Sequence, residues 1–558
     1  MKFMLAALNS KYIHSSLAVR CLYSAVKDDF CVMVGEYTIN DSLSHILSKI
    51  YRQKPDVVAF SCYIWNFNHI LSLCQNIKQA NENIKIVLGG PEVSYSPREI
   101  MQKNNFVDFI ISGEGEVTIK ELFDAISQNK SYNIDGVTYR NGSEIIVNNP
   151  RKPIDNFDDL PFVYDNTIDM FKNKIIYYES SRGCPFSCSY CLSGENSKVR
   201  FLSLDRVKKD IDFFMRHNVP LVKFVDRTFN ANKHRAYEIF KYIIDNSKDT
   251  RFHMELAGDL LDDATIELLS TAPKDIMQFE IGVQTTNDKT MAAINRKINQ
   301  DKLFCNISKL MKNGNIHIHL DLIAGLPYED INSFKKSFND VMSLKPHILQ
   351  IGFLKLLDGS RVKEQVNEFG YRYSQSAPYE VISNDFISYD EILFLHDFED
   401  VFEKFYNNGG FTKTLDLLFN MYDNSFEMFE DLAKYFDENG LFDMSLSKQK
   451  LYDVMYEFTN YRGIDAKEAI KFDYIKCLKS HTVPNWCNQD RSAEFEDKCH
   501  EILKDENFKL KNLPHYYDVP AKKVIKSVHF EKFSYGVLLF DHISNIVIDV
   551  TKYFKDCL

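Results

Sequence analysis

The chain lacks the features that would place it in several broad functional classes. It has no excess of basic charge: 67 Lys and Arg stand against 78 Asp and Glu over 558 residues, a formal net charge of −11. An acidic surface repels phosphate backbones, which disfavours nucleic acid or an anionic membrane as the main partner. No apolar run approaches the roughly 20 residues needed to cross a bilayer, and the opening run Phe3 to Leu8 is too short for a signal sequence. A soluble cytoplasmic protein with no membrane partner is expected. Internal repeats and low-complexity tracts are missing, and a composition 45% hydrophobic and 26% charged excludes global disorder. Tryptophan is limited to Trp65 and Trp486, both read as packing residues. Cysteine is sparse: of 12, nine stand alone (Cys21, Cys31, Cys62, Cys74, Cys305, Cys477, Cys487, Cys499 and Cys557), which excludes a secreted disulfide scaffold.

What is present is a long α/β chain, sized for roughly three or four domains. Over residues 1–125, apolar runs (Phe3 to Leu8, Cys31 to Tyr37, Asp56 to Ser61, Ile84 to Leu88, Phe106 to Ile111) alternate with helix-length intervals, which predicts a doubly wound, Rossmann-like parallel sheet. Ligands of such sheets sit beyond the carboxyl ends of the strands. Those ends carry Ser61, Gly89-Gly90-Pro91-Glu92 and Gly113-Glu114-Gly115-Glu116. Residues 126–170 read as a hairpin, with Asn141-Gly142 at its turn, and a linker. From 171 to 364 six further strand candidates, each followed by a helix-length interval, suggest a parallel sheet curled into an incomplete (β/α)6 barrel with its functional groups at the strand carboxyl ends. Residues 365–558 read as a mainly helical domain with one strand pair at Val528 to Phe540. Its aromatic residues, among them Phe402, Phe405, Tyr406, Tyr422, Phe426 and Phe429, are expected to pack a core.

The remaining cysteines form the segment Cys184-Pro185-Phe186-Ser187-Cys188-Ser189-Tyr190-Cys191, on a loop leaving the first strand of the second series. Thiolates at this spacing suit zinc or an iron–sulfur cluster. A structural zinc site closes with four ligands, and here a distant residue such as His253 or His319 would have to supply the fourth. A 4Fe-4S cluster held by three cysteines leaves one iron open to an added ligand.

Cys-x3-Cys-x2-Cys with an aromatic before the last cysteine, after the first strand of a partial barrel, resembles the radical S-adenosylmethionine (SAM) superfamily. In that family SAM chelates the open iron and is cleaved reductively to a deoxyadenosyl radical. Other segments agree in order. Tyr190 matches the aromatic near the adenine, and Phe224-Val225-Asp226-Arg227-Thr228-Phe229 resembles the second-strand segment of the cobalamin-associated branch. Phe252-His253-Met254-Glu255 resembles the third strand, Glu280-Ile281-Gly282-Val283-Gln284-Thr285 the fourth-strand motif near the SAM ribose, and Asp321-Leu322-Ile323-Ala324-Gly325-Leu326-Pro327 the fifth-strand motif beside the adenine. The resemblance implies a cluster on Cys184, Cys188 and Cys191, and SAM contacts from Tyr190, Asp226, Glu255, Glu280, Gly282, Gln284, Asp321 and Gly325. For the carboxylates, helix capping or ion pairing is the competing role.

A doubly wound domain ahead of such a barrel is similar to the cobalamin (B12)-binding branch. That resemblance assigns Ser61, Gly89, Gly90, Gly113, Glu114, Gly115 and Glu116 to the corrin crevice. The Asp-x-His-x-x-Gly motif whose histidine ligates cobalt is missing: Tyr12 precedes His14 by two and Leu17 follows by three, and His69 is no better flanked. No cobalt-ligating histidine is therefore expected from such a motif. His14 remains a crevice candidate, against a capping or solvated role. The function implied is a cobalamin-dependent radical SAM methyltransferase acting on a small molecule or peptide at an unactivated carbon or phosphorus, with an external flavodoxin- or ferredoxin-type electron donor. Alternatives are a non-methylating ring formation or rearrangement, and a non-catalytic corrin-binding protein. The C-terminal region resembles an uncharacterised extension of such proteins.

Overall fold

In a computed structural model the described residues are 1–195, 198–480, 482–487 and 492–554; Cys557 lies outside them. The first apolar runs form five parallel strands: β1 (Phe3–Asn9), β2 (Val32–Thr38), β3 (Val57–Ser61), β4 (Lys85–Gly89) and β5 (Phe109–Ile111). β1 is buried at all its positions, as a strand covered on both faces must be. Met4, Ala6 and Leu8 pack under the helices Leu43–Arg52 and Phe67–Ala80, whereas Phe3, Leu5 and Ala7 pack under Leu17–Val26 and Gly115–Gln128. The order β2-β1-β3-β4-β5 reverses between β1 and β3, which opens a crevice at their carboxyl ends. The hairpin of β6 (Val137–Asn141) and β7 (Glu144–Val147) pairs antiparallel with β5. It therefore extends this sheet to seven strands rather than standing apart as a connector.

The second sheet starts with β8 (Ile176–Tyr178). A short antiparallel pair, β9 (Ser181–Arg182) and β10 (Arg200–Phe201), then brackets the cysteine loop. β11 (Leu221–Phe224), β12 (Arg251–Leu256), β13 (Met277–Gln284), β14 (His317–Ala324) and β15 (Ile348–Phe353) follow in sequential order, all parallel, giving a six-stranded partial barrel. β13 and β14 alternate residue by residue between buried and half-buried. Phe279, Ile281, Ile318 and Leu320 pack outward, while Gln278, Glu280, His319 and Asp321 lie on the opposite face. The barrel lumen is therefore polar.

The first compact unit is Met1–Ile392. Its last stretch, with β16 (Arg372–Tyr373) paired to β17 (Val381–Ser383), returns to the end of β15 through hydrogen bonds from Val381 N to Leu354 O and from Leu356 N to Tyr379 O. The second unit, Leu393–Leu558, holds helices such as Ser425–Glu438 and Lys448–Tyr461, with Phe402, Phe405, Phe426 and Phe429 buried in its core. It also contains a three-stranded antiparallel sheet of β18 (Val528–Phe533), β19 (Gly536–Asp541) and β20 (Ile546–Asp549), one strand more than its sequence suggested. Trp486 stacks on Tyr456 and donates to Asp453. Among the described residues, no helix is long and apolar enough to cross a membrane.

Candidate functional site

The cysteine loop begins at a glycine the backbone requires. Gly183 has φ +106°, and a Cβ there would lie 2.6 Å from the Lys198 carbonyl oxygen, so only glycine fits between the two arms of the loop. The loop is then pinned from several sides. Ser189 N donates to Ile294 O (2.9 Å), Val362 N donates to Ser189 O (2.9 Å), and Asn295 Nδ2 donates to Ser187 O and Oγ (3.0 and 2.7 Å). Each thiol has its own polar neighbour. Cys184 Sγ lies 3.4 Å from Thr228 Oγ1, Cys188 Sγ accepts from Arg296 at 3.8 Å, and Cys191 Sγ accepts from Ser193 N at 3.4 Å. Among the described residues no three His, Cys, Asp or Glu side chains converge on one ion-sized point. His253 is engaged with Glu280 and His319 with Gln278, so the zinc arrangement completed by either histidine is not formed. Three separated soft donors with N–H groups on two of the sulfurs fit a cluster larger than a single ion.

Tyr190 points its hydroxyl to Arg296 Nη1 (3.0 Å), and Arg296 also donates to the Gly282 carbonyl. That arginine joins the cysteine loop to β13, and no motif in the sequence marks it. Asp226 is fully buried and takes hydrogen bonds from Ser180 N (2.7 Å), Ser180 Oγ (2.6 Å) and Ser181 Oγ (2.7 Å). The carboxylate thereby ties the end of β8 to the end of β11, with both oxygens accepting from these serines. Glu280 takes both Lys223 Nζ (3.1 Å) and His253 Nε2 (2.9 Å), and these two donors hold its carboxyl down at about 2 despite burial. Glu255 and Asp321 lie on the flanking strands, opposite Glu280 and Gly282 respectively. Burial, then the charge of Glu280, pushes each up to about 7. Gln284, at φ +72°, ends β13 with its Oε1 buried and unpartnered. Gly325 (φ +85°) is covered by Val381, and its carbonyl accepts from Tyr371 Oη and Asn384 Nδ2.

The carboxyl edge of the N-terminal sheet faces the barrel. The loop after β1 docks through Tyr177 Oη, which lies 2.6 Å from His14 Nδ1; the His14 ring is kept neutral, its pKa lowered first by burial. Neither a solvated loop nor a free crevice position describes it. The segment after β4 docks through Tyr379 Oη donating to Glu92 (2.5 Å) and Ser96 Oγ donating to Asp358 (2.9 Å). After β5, Glu114 accepts from Arg200 (2.5 Å) and Ile154 N (2.8 Å), and Glu116 accepts from Arg182 (2.8 Å), which also holds Glu179 (2.7 Å). Glu114 and Glu116 are therefore interdomain ion pairs rather than free crevice carboxylates. Inside the crevice, Gly90 (φ +108°) would place a Cβ 2.5 Å from the Cys62 carbonyl oxygen, so β4 can turn this closely past β3 only with glycine. Gly89 ends β4 and Ser61 ends β3, Gly113 (φ +80°) has open space where a side chain would be, and Gly115 starts its helix against Leu22. Trp65 is 45% exposed and stacks on Tyr63 (4.4 Å) just beyond β3. It is a surface of the crevice edge and not the packing residue its type suggested.

Comparisons with known proteins agree with this division. Residues 5–123 match the B12 binding domain, residues 178–341 the radical SAM superfamily, and residues 367–549 a protein domain of unknown function, DUF4080. A cobalamin-dependent radical SAM methyltransferase, TokK from Streptomyces tokunonensis, is 28% identical over 344 residues, 57% of this chain and 50% of the relative. A 2-(S-pantetheinyl)-carbapenam-3-carboxylate methyltransferase from Streptantibioticus cattleyicolor is 26% identical over 311 residues, 52% of this chain and 46% of the relative. The chain thus spans about half the length of these relatives. Among solved structures, the cobalamin-dependent SAM radical enzyme OxsB with aqua-cobalamin and SAM bound aligns with TM-score 0.59 at 14% identity, covering 87% of this chain and 82% of that one. The methyltransferase TsrM from Kitasatospora setae aligns with TM-score 0.57 at 15% identity, covering 66% and 76%. With the cysteine loop at the mouth of its partial barrel and a doubly wound sheet turned toward it, the chain carries, in order, segments similar to the B12 binding domain, the radical SAM superfamily and a domain of unknown function.

Proposed function

We propose that this protein is a cobalamin-dependent radical SAM methyltransferase acting on a small molecule or peptide. The observation that carries the reading is the placement of Cys184, Cys188 and Cys191 on a pinned loop at the end of the first barrel strand, on the side where the carboxyl edge of the B12 domain docks. The three thiolates would hold a 4Fe-4S cluster. Arg296 and the Ser193 amide would offset the negative charge on Cys188 and Cys191. Tyr190, Gly282, Gln284 and Gly325 border the space for SAM, and the turns at Ser61, Gly89, Gly90 and Gly113 border the space for the corrin. When bound, the cluster supplies the electron for reductive SAM cleavage and cobalamin supplies the methyl group, so the chain's task is to position reactants and exclude water and oxygen. His14 Nδ1 is committed to Tyr177 Oη. A low-potential flavodoxin- or ferredoxin-type protein is the electron donor that fits this chemistry.

The test is anaerobic reconstitution with iron, sulfide and hydroxocobalamin. The expected result is about four irons per chain, bound corrin, 5′-deoxyadenosine from SAM, and label from methyl-labelled SAM in product. Replacing the three cysteines by alanine should abolish the iron and the SAM cleavage. A wild-type chain that binds corrin but holds no cluster and cleaves no SAM refutes the reading; deoxyadenosine without a methylated product points to a rearrangement instead.

A further inference from the structure

Three carboxylates stand on the lumen face of three consecutive strands, and only one has donors. Glu280 of β13 takes both Lys223 and His253 on a single oxygen, Oε2. Glu255, its direct neighbour on β12, has no hydrogen bond or ion pair to any described residue. Asp321 on β14 has none either, and its Oδ1 is shut off from solvent without a partner. On β13 the residue in register with Asp321, one pleat beyond Glu280, is Gly282, and the place a side chain there would take is filled by the Gln284 carboxamide, bordered by Arg296. The cations around the pair are committed elsewhere or lie outside it. Lys223 is on Glu280, Arg296 is on Tyr190 and the Gly282 carbonyl, and Arg227, beyond β11, acts on Glu255 only through space. His319 is neutral, pushed down to about 4 first by burial, and Asp226 is occupied by Ser180 and Ser181. A buried acceptor without a donor costs about 1–3 kcal/mol, and two carboxylates flanking an ionised third are each disfavoured in the charged form without a cation.

We propose that Glu255 and Asp321 together form a binding site for a protonated nitrogen, an ammonium or guanidinium group, of the molecule bound in the lumen. A neutral hydroxyl or amide would satisfy Asp321 Oδ1 but leave the negative charge uncompensated, and an anion is repelled outright. A proton held on these carboxylates in the empty site leaves to solvent when the cation arrives, so binding is linked to pH. The nitrogen has two sources, the α-ammonium of SAM or an amine or guanidine on the substrate. The proposal rests on the preceding reading only for taking the lumen as the reaction site.

The test is calorimetry on the full chain with three probes: n-butylammonium, S-adenosylhomocysteine, and 5′-methylthioadenosine, which lacks the ammonium. Below about pH 7, affinity for at least one ammonium probe should fall roughly tenfold per pH unit and level off above it. Glu255→Gln and Asp321→Asn should each weaken that probe at least about tenfold and flatten its pH dependence, leaving methylthioadenosine unchanged. If butylammonium responds, the site takes a substrate nitrogen; if only S-adenosylhomocysteine responds, it takes that of SAM. Should a variant fail to fold, the wild type measured in two buffers of different ionisation enthalpy must release about one proton per cation bound near pH 6. Binding of both ammonium probes without proton release or pH dependence overturns the proposal. These measurements use the resting protein. Absent SAM cleavage with intact pH-linked binding therefore counts against the methyltransferase reading alone, and the converse counts against this site alone.

Discussion

Asp226→Ala separates a structural carboxylate from a cofactor ligand. Asp226 sits at the mouth of the barrel in a segment that resembles a cofactor-binding motif, yet its two oxygens accept one amide and two hydroxyl donors at 2.6–2.7 Å, all from Ser180 and Ser181. It also supplies a negative charge near Arg235, which is 6% exposed and whose Nε and Nη1 have no hydrogen-bond partner. Each hydrogen bond to a charged group contributes about 1.5–3 kcal/mol, but the three share one carboxylate and do not add fully. Removing one member of a buried charged set typically costs about 3–5 kcal/mol. At about 2–4 °C per kcal/mol for a domain of this size, the unfolding midpoint should drop by roughly 10 °C. Asp226→Asn keeps the shape and one acceptor and should cost about half as much. The measurement is denaturant and thermal unfolding of the resting chain, followed by circular dichroism. The reasoning fails if Asp226→Ala unfolds within about 0.5 kcal/mol of wild type while SAM affinity collapses, because that is the behaviour of a ligand contact at an exposed rim.

Other outcomes follow from the same contacts. Glu255 and Asp321 are raised to about 7 in the fold, so the folded chain keeps protons that the unfolded chain releases; stability should fall between about pH 4.5 and 7 and then flatten. Asp321→Asn should remove part of that slope and raise the unfolding free energy near pH 8 by on the order of 2 kcal/mol, as read from denaturant midpoints across pH. Glu280 has the opposite sign: its carboxyl is held at about 2, so its contribution is full above the ordinary glutamate range and is lost as pH falls toward that value. Gly90→Ala forces a Cβ to 2.5 Å from the Cys62 carbonyl at φ +108° and should cost about 1–3 kcal/mol in denaturant unfolding. Glu116→Gln weakens an interdomain ion pair, so it should lower the unfolding midpoint yet leave hydroxocobalamin affinity within about twofold; a selective loss of corrin binding contradicts the role assigned to it.

The docking of the two α/β domains bears on how the site is closed. Every interdomain contact described above comes from a loop after β1, β4 or β5, the carboxyl edge where ligands of doubly wound sheets lie.

Much of the protein is determined by its sequence alone. The period of apolar runs and helix-length gaps dictates two parallel sheets, because a strand buried on both faces must be continuously apolar and must be followed by a covering helix. The spacing of Cys184, Cys188 and Cys191 dictates that three soft ligands share one loop, because residues within an eight-residue segment need no tertiary contact to come together. The polar lumen was also legible in principle, since Met277-Gln-Phe-Glu-Ile-Gly-Val-Gln284 and His317-Ile-His-Leu-Asp-Leu-Ile-Ala324 alternate with period two. What sequence cannot determine is which partner each carboxylate meets. Asp226, Glu280, Asp321, Glu114 and Glu116 are equivalent as letters in motifs, yet two serines claim the first, Lys223 and His253 the second, and arginines of the barrel the last two. Asp321 is left without a donor. Arg296 carries no sequence signal because its partners lie 14 to 108 residues away. Electrostatic roles are set by distances of a few ångströms between distant parts of the chain, and only tertiary packing fixes those distances.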